Sequence, residues 1–294
     1  MASLFSPLIS RLWVRFKVRA VWSREIVQYT FPNLARPSVP LSEEARGWLA
    51  AFRRDGILKV EEDRFREIAE YLDQAYFKPL EEGREASAVQ MPSQGLFILD
   101  NNLPKYREGG TEINANISFK DPRLAPIFFH PDLNGVLYNY YRRQPFYRNQ
   151  PLLQKIVYDG KVPPLSNSSW HVDYVHQVSV MFLVSDVTER DTHMQYALGS
   201  HRKLRLVANY PEEIVEREGY PVLDAVGGKG TLFMFDAGGL HRACYRPNTS
   251  RKILHLNMTS GHHITPRRYD RLGSWGELAG CPPHSRRMME KIGC

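Results

Sequence analysis

The sequence predicts a mainly β protein with N-terminal helices (α+β), in which many short strands form a sandwich or barrel. Two observations carry this prediction. Between residues 42 and 82, apolar side chains recur at helical spacing, whereas after Met91 short apolar runs alternate with Pro, Gly and Asn. A third observation argues against a membrane-spanning segment, because the longest dense apolar stretch, Val178 to Val184, is far too short to cross a bilayer.

The net charge of +7 on 294 residues is concentrated at the two ends of the chain. Residues 1–40 carry +5 and residues 262–294 carry +3, which leaves −1 for the body between them. A neutral body is not typical of a protein that coats nucleic acid. Only three cysteines are present, with no disulfide or zinc-ribbon spacing, so a reduced, cytoplasmic setting is expected.

Residues 1–40 are interpreted as a basic amphipathic N-terminal segment. From Leu4 to Phe16, apolar residues recur at three- and four-residue steps, and four Lys or Arg residues lie among and beyond them. This pattern fits a helix on an anionic membrane surface, which would place the protein peripherally on a membrane. An organelle transit peptide and a helix packed on the domain fit equally well.

Residues 41–90 are predicted to be a helical packing region. Ser42 is a plausible N-cap because acids fill the first turn after it, and Trp48, Leu49 and Phe52 repeat at helical spacing. A second amphipathic helix is predicted from Arg64 to Tyr76.

Residues 91–265 are predicted to form the β core, followed by a basic C-terminal tail at 266–294, with one catalytic domain overall. The predicted strands are short runs rich in β-branched and aromatic residues. They are Leu96–Leu99, Leu153–Tyr158, Val178–Val184, Thr231–Phe235 and Ile253–Met258.

The chemistry is predicted from a His-x-Asp tripeptide and a distant histidine. If residues 170–173 form a strand, His171 and Asp173 point to the same face and offer a metal an imidazole and a carboxylate. His241, from a distant strand, completes the two-histidine, one-carboxylate set of non-haem Fe(II) oxygenases.

Arg251 follows His241 by ten residues, and a hairpin turning at Asn248 would pair Tyr245 with Arg251 and His241 with His255. In that register His241 and Arg251 share a face about 13 Å apart along the ladder. A C5 dicarboxylic acid and an extended Arg side chain together bridge such a gap, with the far carboxylate on Arg251 and the 2-oxo acid end on the metal.

The stretch from Trp170 to Ser260 resembles the phytanoyl-CoA dioxygenase family of Fe(II)/2-oxoglutarate-dependent oxygenases. The resemblance implies a double-stranded β-helix (jelly-roll) core, iron bound by His171, Asp173 and His241, and 2-oxoglutarate bound by Arg251. It also implies O₂ as co-substrate and hydroxylation of an aliphatic C–H with release of succinate and CO₂. The motifs that carry it are Trp170-His171-Val172-Asp173, Leu183 to Thr188, Gly199-Ser200-His201-Arg202, Gly230 to Phe235, His241 and Arg251.

This sequence departs from the family where many relatives carry a hydroxyl residue, two positions after the distal His or after the Arg. Here those positions hold Ala243 and Ile253. A further contact to 2-oxoglutarate is therefore expected from another residue: Tyr158, Gln154 or Thr231.

Substrate contacts are predicted from His176, three residues after Asp173, and from Arg142 and Arg143 in a basic, aromatic stretch. The expected substrate is a small molecule, lipid or sugar-containing compound, and the sequence does not indicate an oligomeric state. Three alternatives stay open: a membrane-surface hydroxylase of glycolipid (lipopolysaccharide) sugars, a non-catalytic jelly-roll binding module, and an alkylation-repair-type nucleic-acid oxygenase.

Overall fold

The structure is a computed structural model that describes residues 38–82, 98–107, 110–117, 119, 121–142, 146–147, 151–158, 160, 168–173, 177–205 and 209–259. Several predicted features lie outside the described residues. They are the amphipathic segment up to residue 37, the basic tail at 266–294, Arg143 and His176.

Strands are the main regular element of the described chain after residue 97, as predicted. The runs predicted near residues 153, 178, 231 and 253 are confirmed as strands. In chain order the strands are β1 Ile57–Val60, β2 Ile98–Arg107, β3 Gly110–Ile117, β4 Phe146–Tyr147, β5 Leu152–Tyr158, β6 Gln177–Leu183, β7 His193–Ala197, β8 Val222–Ala225, β9 Leu232–Asp236, β10 His241–Cys244 and β11 Ser250–Thr259.

These strands form two antiparallel sheets. The larger has the order β1-β9-β6-β11-β5-β3-β2, with β4 pairing with β11, and the smaller has the order β10-β7-β8. Neighbours in space are distant in sequence, as in β6 between β9 and β11, so long-range pairing holds the fold together. The predicted two-layer β architecture with N-terminal helices is confirmed.

The helices are short and most of them precede the central strands. They are α1 Glu43–Asp55, α2 Asp63–Leu72, α3 Lys78–Glu81, α4 Ala125–Phe128, α5 Pro131–Tyr141 and α6 Ile214–Glu218, with a π-helical turn at Asp73–Phe77. Ser42 caps α1 as predicted, since its side chain accepts a hydrogen bond from the Ala45 N–H at 3.0 Å.

Between α1 and α2 the chain forms the strand β1, although this region was predicted to be helical. Gly56 ends α1 in the left-handed conformation, at φ 79°. The strand that follows pairs Ile57 with Phe235 and Val60 with Leu232. A four-residue strand produces too little period-2 alternation to stand out between two helices.

The two faces of the larger sheet have different partners, because side chains alternate along each strand. On β11, Leu254, Leu256 and Met258 belong to the main hydrophobic core, which contains the buried residues of α1, α2 and α5. The opposite face, with Met181 and Ile253, packs with the smaller sheet. The second face is the one that carries Arg251, two positions before Ile253.

The predicted hairpin between His241 and Arg251 is wrong. Strand β10 pairs with β7 in the smaller sheet, whereas β11 pairs with β4, β5 and β6 in the larger sheet. The turn at Asn248, which has a positive φ of 59°, therefore joins two different sheets. A local turn pattern specifies where the chain reverses, and long-range packing decides which sheet each arm enters.

Among the described helices, none combines the length and the apolar composition that spanning a membrane requires.

Candidate active site

His171 and His241 face each other across an isolated antiparallel bridge. Each backbone N–H donates to the carbonyl of the other residue at 3.0 Å, and the two ring centroids lie 4.3 Å apart. His241 is the first residue of β10 and is buried. Main-chain hydrogen bonds thus hold two residues that are seventy positions apart in sequence side by side, and they fix the Cα positions from which both side chains extend.

Asp173 completes a cluster in which one ligand atom from each residue lies within 4.8 Å of the others. Its backbone N–H donates to the Ala237 carbonyl at 2.8 Å, and its Oδ2 lies 3.7 Å from His241 Nε2. The structure has no strand at residues 172–173, so it is the bond to Ala237 that holds Asp173 beside the histidines. The structure brings together the three residues predicted as metal ligands.

The ring orientations of both histidines leave the same nitrogen available. His171 Nδ1 lies 2.9 Å from the Ser169 carbonyl, and His241 Nδ1 lies 3.0 Å from the Gly239 carbonyl. A carbonyl only accepts, so each Nδ1 carries the proton and each Nε2 keeps its lone pair. This arrangement orients neutral imidazoles for metal binding.

Burial keeps His241 unprotonated. Desolvation lowers the pKa of His241 to about 4, with a smaller lowering from His171, while the Asp173 carboxylate opposes the shift. At neutral pH the cluster therefore presents an imidazole lone pair without competition from a proton.

Arg251 is a buried cation for which the described residues provide no acid. Only 7% of its surface is exposed, its Nη1 donates to the Met181 sulfur at 3.6 Å, and its Nε has no partner among the described residues. Burial lowers the pKa of Arg251, and Tyr245 opposes that shift. A desolvated guanidinium without a carboxylate costs folding free energy, and an anionic ligand would remove that cost.

His255 lies on the same face of β11 as Arg251, four positions further along the strand. Desolvation lowers its pKa to about 4; Asp173 opposes this lowering, while Arg251 and His241 add to it. All three groups act on the His255 pKa, so this imidazole lies near both the guanidinium and the triad.

Two of the three residues predicted as further 2-oxoglutarate contacts lie on β5, the neighbour of β11. Tyr158 packs on Tyr245, with 5.6 Å between ring centroids, and Tyr245 in turn acts on the Arg251 pKa. Gln154 donates from Nε2 to the Asn114 Oδ1 at 3.3 Å. Thr231 is placed differently, because its hydroxyl donates to Glu61 Oε1 at 3.1 Å.

Of the predicted substrate contacts, only Arg142 is among the described residues. It ends α5 in the left-handed conformation, at φ 54°. Helix α5 packs in the hydrophobic core on the face of the larger sheet opposite to Arg251. No described contact joins Arg142 to the triad, so its role in substrate binding stays a prediction. His201 of the Gly-Ser-His element lies apart as well, with its Nε2 3.2 Å from the Arg53 carbonyl.

Gln177, a polar residue that was not predicted from the sequence, contacts the triad. Gln177 Nε2 donates to Asp173 Oδ2 at 3.3 Å and also approaches Ser179 Oγ and Asn257 Oδ1, each at 3.2 Å. Gln177 and Ser179 alternate with valines at the start of β6. Polar residues at every second position of an otherwise apolar strand are a signal that was available in the sequence.

Comparisons with known proteins give the fold. No protein-family model matches the chain, and no curated protein sequence matches it. Solved structures do: EctD from S. alaskensis with 2-oxoglutarate and 5-hydroxyectoine has 18% identity and a TM-score of 0.54, covering 79% of this chain and 82% of that one. The epimerase SnoN in complex with Fe³⁺, alpha ketoglutarate and nogalamycin RO has 14% identity and a TM-score of 0.51, covering 74% and 84%.

The chain has a jelly-roll fold. EctD from S. alaskensis with bound Fe is also similar, with 18% identity, a TM-score of 0.54, and coverage of 76% of this chain and 80% of that one.

In the present structure the donor set His171, Asp173 and His241 fits Fe(II). Arg251, which is buried and has no acid among the described residues, fits a carboxylate of 2-oxoglutarate.

Proposed function

We propose that the protein is an Fe(II)/2-oxoglutarate-dependent dioxygenase that hydroxylates an aliphatic C–H and releases succinate and CO₂. The observation that carries the proposal is the pairing of a complete His-Asp-His donor set with a buried guanidinium that has no acid among the described residues. Similarity to solved structures that contain iron and 2-oxoglutarate supports it.

In this proposal His171 and His241 hold the iron through Nε2, and Asp173 holds it through a carboxylate oxygen. The carbonyls of Ser169 and Gly239 keep both rings in the orientation that this binding needs. Iron, 2-oxoglutarate and O₂ together supply the oxidising chemistry when they are bound. An iron ion held by these three residues would keep coordination positions for 2-oxoglutarate and O₂.

Arg251 binds the distal carboxylate of 2-oxoglutarate through its guanidinium. Tyr158 and Gln154 on the adjacent strand are proposed as further contacts, and Tyr245 packs on Tyr158. Because Arg251 is buried, water competes poorly for the carboxylate, which strengthens the ion pair.

The substrate is proposed to be a small molecule, lipid or sugar-containing compound. Support comes from the amides of Asn114, Gln154 and Asn257, which lie on the same face of the larger sheet as Arg251 by strand alternation and register. Amides recognise hydroxyl and carbonyl groups without requiring charge. Membership of the phytanoyl-CoA dioxygenase family is part of the proposal and rests on the His-x-Asp, Gly-Ser-His, His and Arg motifs.

The test combines an anaerobic titration with a turnover screen. Addition of Fe(II) and 2-oxoglutarate without O₂ should produce the metal-to-ligand charge-transfer band of the ternary complex. In air, succinate release should depend on iron and respond to compounds in a panel of acyl, amino-acid and sugar substrates. Loss of iron-dependent succinate would favour a jelly-roll binding module instead.

Substitutions localise the activity. His171→Ala removes one donor, so the charge-transfer band and succinate release should both disappear. His201→Gln is the matched control, because His201 contacts the Arg53 carbonyl and is not part of the donor cluster. Undiminished activity in His171→Ala would refute the proposal.

A further inference from the structure

A hydrogen-bonded group of three polar side chains connects Asp173 to strand β11. Gln177 Nε2 lies 3.3 Å from Asp173 Oδ2 and 3.2 Å from both Ser179 Oγ and Asn257 Oδ1. Ser179 Oγ donates to Asn257 Oδ1 at 2.7 Å. Ser179 and Asn257 are directly opposite each other on β6 and β11. The chain from the carboxylate to Asn257 is therefore continuous.

The carboxylate sets the orientation of the first amide. An ionised Asp173 only accepts hydrogen bonds, so Gln177 must turn its Nε2 toward Oδ2 rather than its carbonyl. A carboxylate oxygen has two lone pairs, which allows Oδ2 to accept from Gln177 and still face the metal position between the histidines.

The first amide then sets the orientation of the second. Because Gln177 Nε2 donates toward Asn257, the atom that Asn257 turns toward it must be the acceptor Oδ1. Ser179 donates to that same oxygen, so both hydrogen bonds require the same orientation of the Asn257 amide. Any flip of one amide would place like groups together and break the chain at a position where water has little access.

The backbone around Gln177 is fixed by the residue that also fixes Asp173. The Ala237 N–H donates to the Gln177 carbonyl at 2.9 Å, while the Asp173 N–H donates to the Ala237 carbonyl at 2.8 Å. Gln177 and Ser179 are both buried. Side chain and main chain of Gln177 are therefore held together with the metal-binding carboxylate as one unit.

We propose that Gln177, held by Ser179 and Asn257, is a positioning residue that fixes the Asp173 carboxylate for metal binding. Without the Gln177 Nε2, Asp173 would lose the side-chain hydrogen bond that orients it among the described residues, and its carboxylate would rotate more freely. This inference rests on the proposed function, since it concerns the same metal site. Substitution of a group that orients a metal ligand typically lowers metal affinity about 10- to 100-fold.

Co(II) binding is the test, because it reads out affinity and coordination geometry without turnover. Gln177→Leu removes the donor, and Gln177→Glu keeps the shape but opposes Asp173 with a second carboxylate. Gln195→Leu is the matched control: Gln195 also donates from Nε2 to a carboxylate, Asp224 Oδ1, at 2.7 Å, but on the smaller sheet outside the donor cluster. Dissociation constants, visible Co(II) spectra and melting temperatures are measured for all four proteins.

The proposal expects Gln177→Leu to bind Co(II) about 10- to 100-fold more weakly with an altered spectrum, and Gln177→Glu to show an altered spectrum as well, because a second carboxylate cannot donate to Asp173. Gln195→Leu should keep the wild-type affinity and spectrum whatever its melting temperature. Wild-type affinity in Gln177→Leu, or equal losses in both Leu variants, would overturn the positioning role while leaving the proposed function intact. Failure of the wild-type protein to bind Co(II) would overturn both.

Discussion

Replacing Arg251 should have opposite effects on stability and on co-substrate binding. In the ligand-free protein the guanidinium is buried, and its described contact is the Met181 sulfur at 3.6 Å. Arg251→Met removes a buried charge that no described acid neutralises, while keeping an unbranched side chain of similar reach. We therefore expect the free energy of unfolding of the ligand-free protein to rise by on the order of 1 kcal/mol.

The affinity for 2-oxoglutarate should fall in the same variant. Truncating one partner of a buried charge pair costs about 2–5 kcal/mol. At 1.4 kcal/mol per tenfold, this corresponds to a loss of about 30- to 4,000-fold in affinity. The assay is a titration of 2-oxoglutarate into the anaerobic iron complex, together with urea unfolding of the ligand-free protein.

Lys252→Met provides the control from the adjacent position on the opposite face of β11. Lys252 Nζ pairs with Asp73 Oδ1 at 2.7 Å and with Glu81 Oε1 at 2.9 Å, both at the helical layer. Its loss should lower stability and leave 2-oxoglutarate affinity unchanged. If Arg251→Met bound 2-oxoglutarate as tightly as the wild type, the assignment of the guanidinium to the co-substrate would be refuted.

Two further predictions concern stability. Burial lowers the pKa values of His241 and His255 to about 4, so between pH 6.5 and pH 4 the unfolded chain binds more protons than the folded one. The free energy of unfolding of the metal-free protein should therefore fall by up to about 1.4 kcal/mol per pH unit for each histidine as the pH is lowered through this range. A urea-unfolding midpoint that stays constant across the range would contradict this prediction. In Gly239→Ala the new Cβ would overlap the Tyr196 hydroxyl, so we expect the free energy of unfolding to fall by about 1–3 kcal/mol. Metal binding should weaken as well, because the Gly239 carbonyl orients the His241 ring. Unchanged Co(II) affinity in this variant would refute the expected effect on metal binding.

The sequence predicted local features well because their causes are local. Ser42 caps α1 because a hydroxyl followed by acids is a signal contained in a few residues. The strands near residues 153, 178, 231 and 253 follow from short apolar runs between turn residues. The grouping of His171, Asp173 and His241 was predicted from residue types, and the structure brings the three together.

Features that depend on long-range pairing were not predicted. The turn near Asn248 looks the same whether its arms pair with each other or enter different sheets, and here they enter different sheets. The bond from Asp173 to Ala237 and the contact of Thr231 with Glu61 likewise join residues far apart in sequence. Periodicity carries no information about such partners, so the environment of a side chain remained undetermined even where its residue type was informative.

The charges of the site predict that metal and 2-oxoglutarate bind cooperatively. Arg251 and Asp173 cancel, and the lowered pKa values of His241 and His255 keep both imidazoles neutral. Counting these described groups, a divalent cation alone would leave the site doubly positive and a dicarboxylate alone doubly negative, whereas both together would restore neutrality beside the buried Arg251 and His241.

Each ligand should therefore tighten the binding of the other by the same factor, about 5- to 150-fold. The measurement is the dissociation constant of 2-oxoglutarate with and without Ni(II), and that of Ni(II) with and without 2-oxoglutarate. In Arg251→Met the distal carboxylate loses its cation, but the metal still attracts the 2-oxo acid end. The coupling should then persist while the affinity falls. Equal affinity for 2-oxoglutarate with and without metal would show that the two ligands do not share one site, which would contradict the proposal that Arg251 and the metal hold the same 2-oxoglutarate molecule.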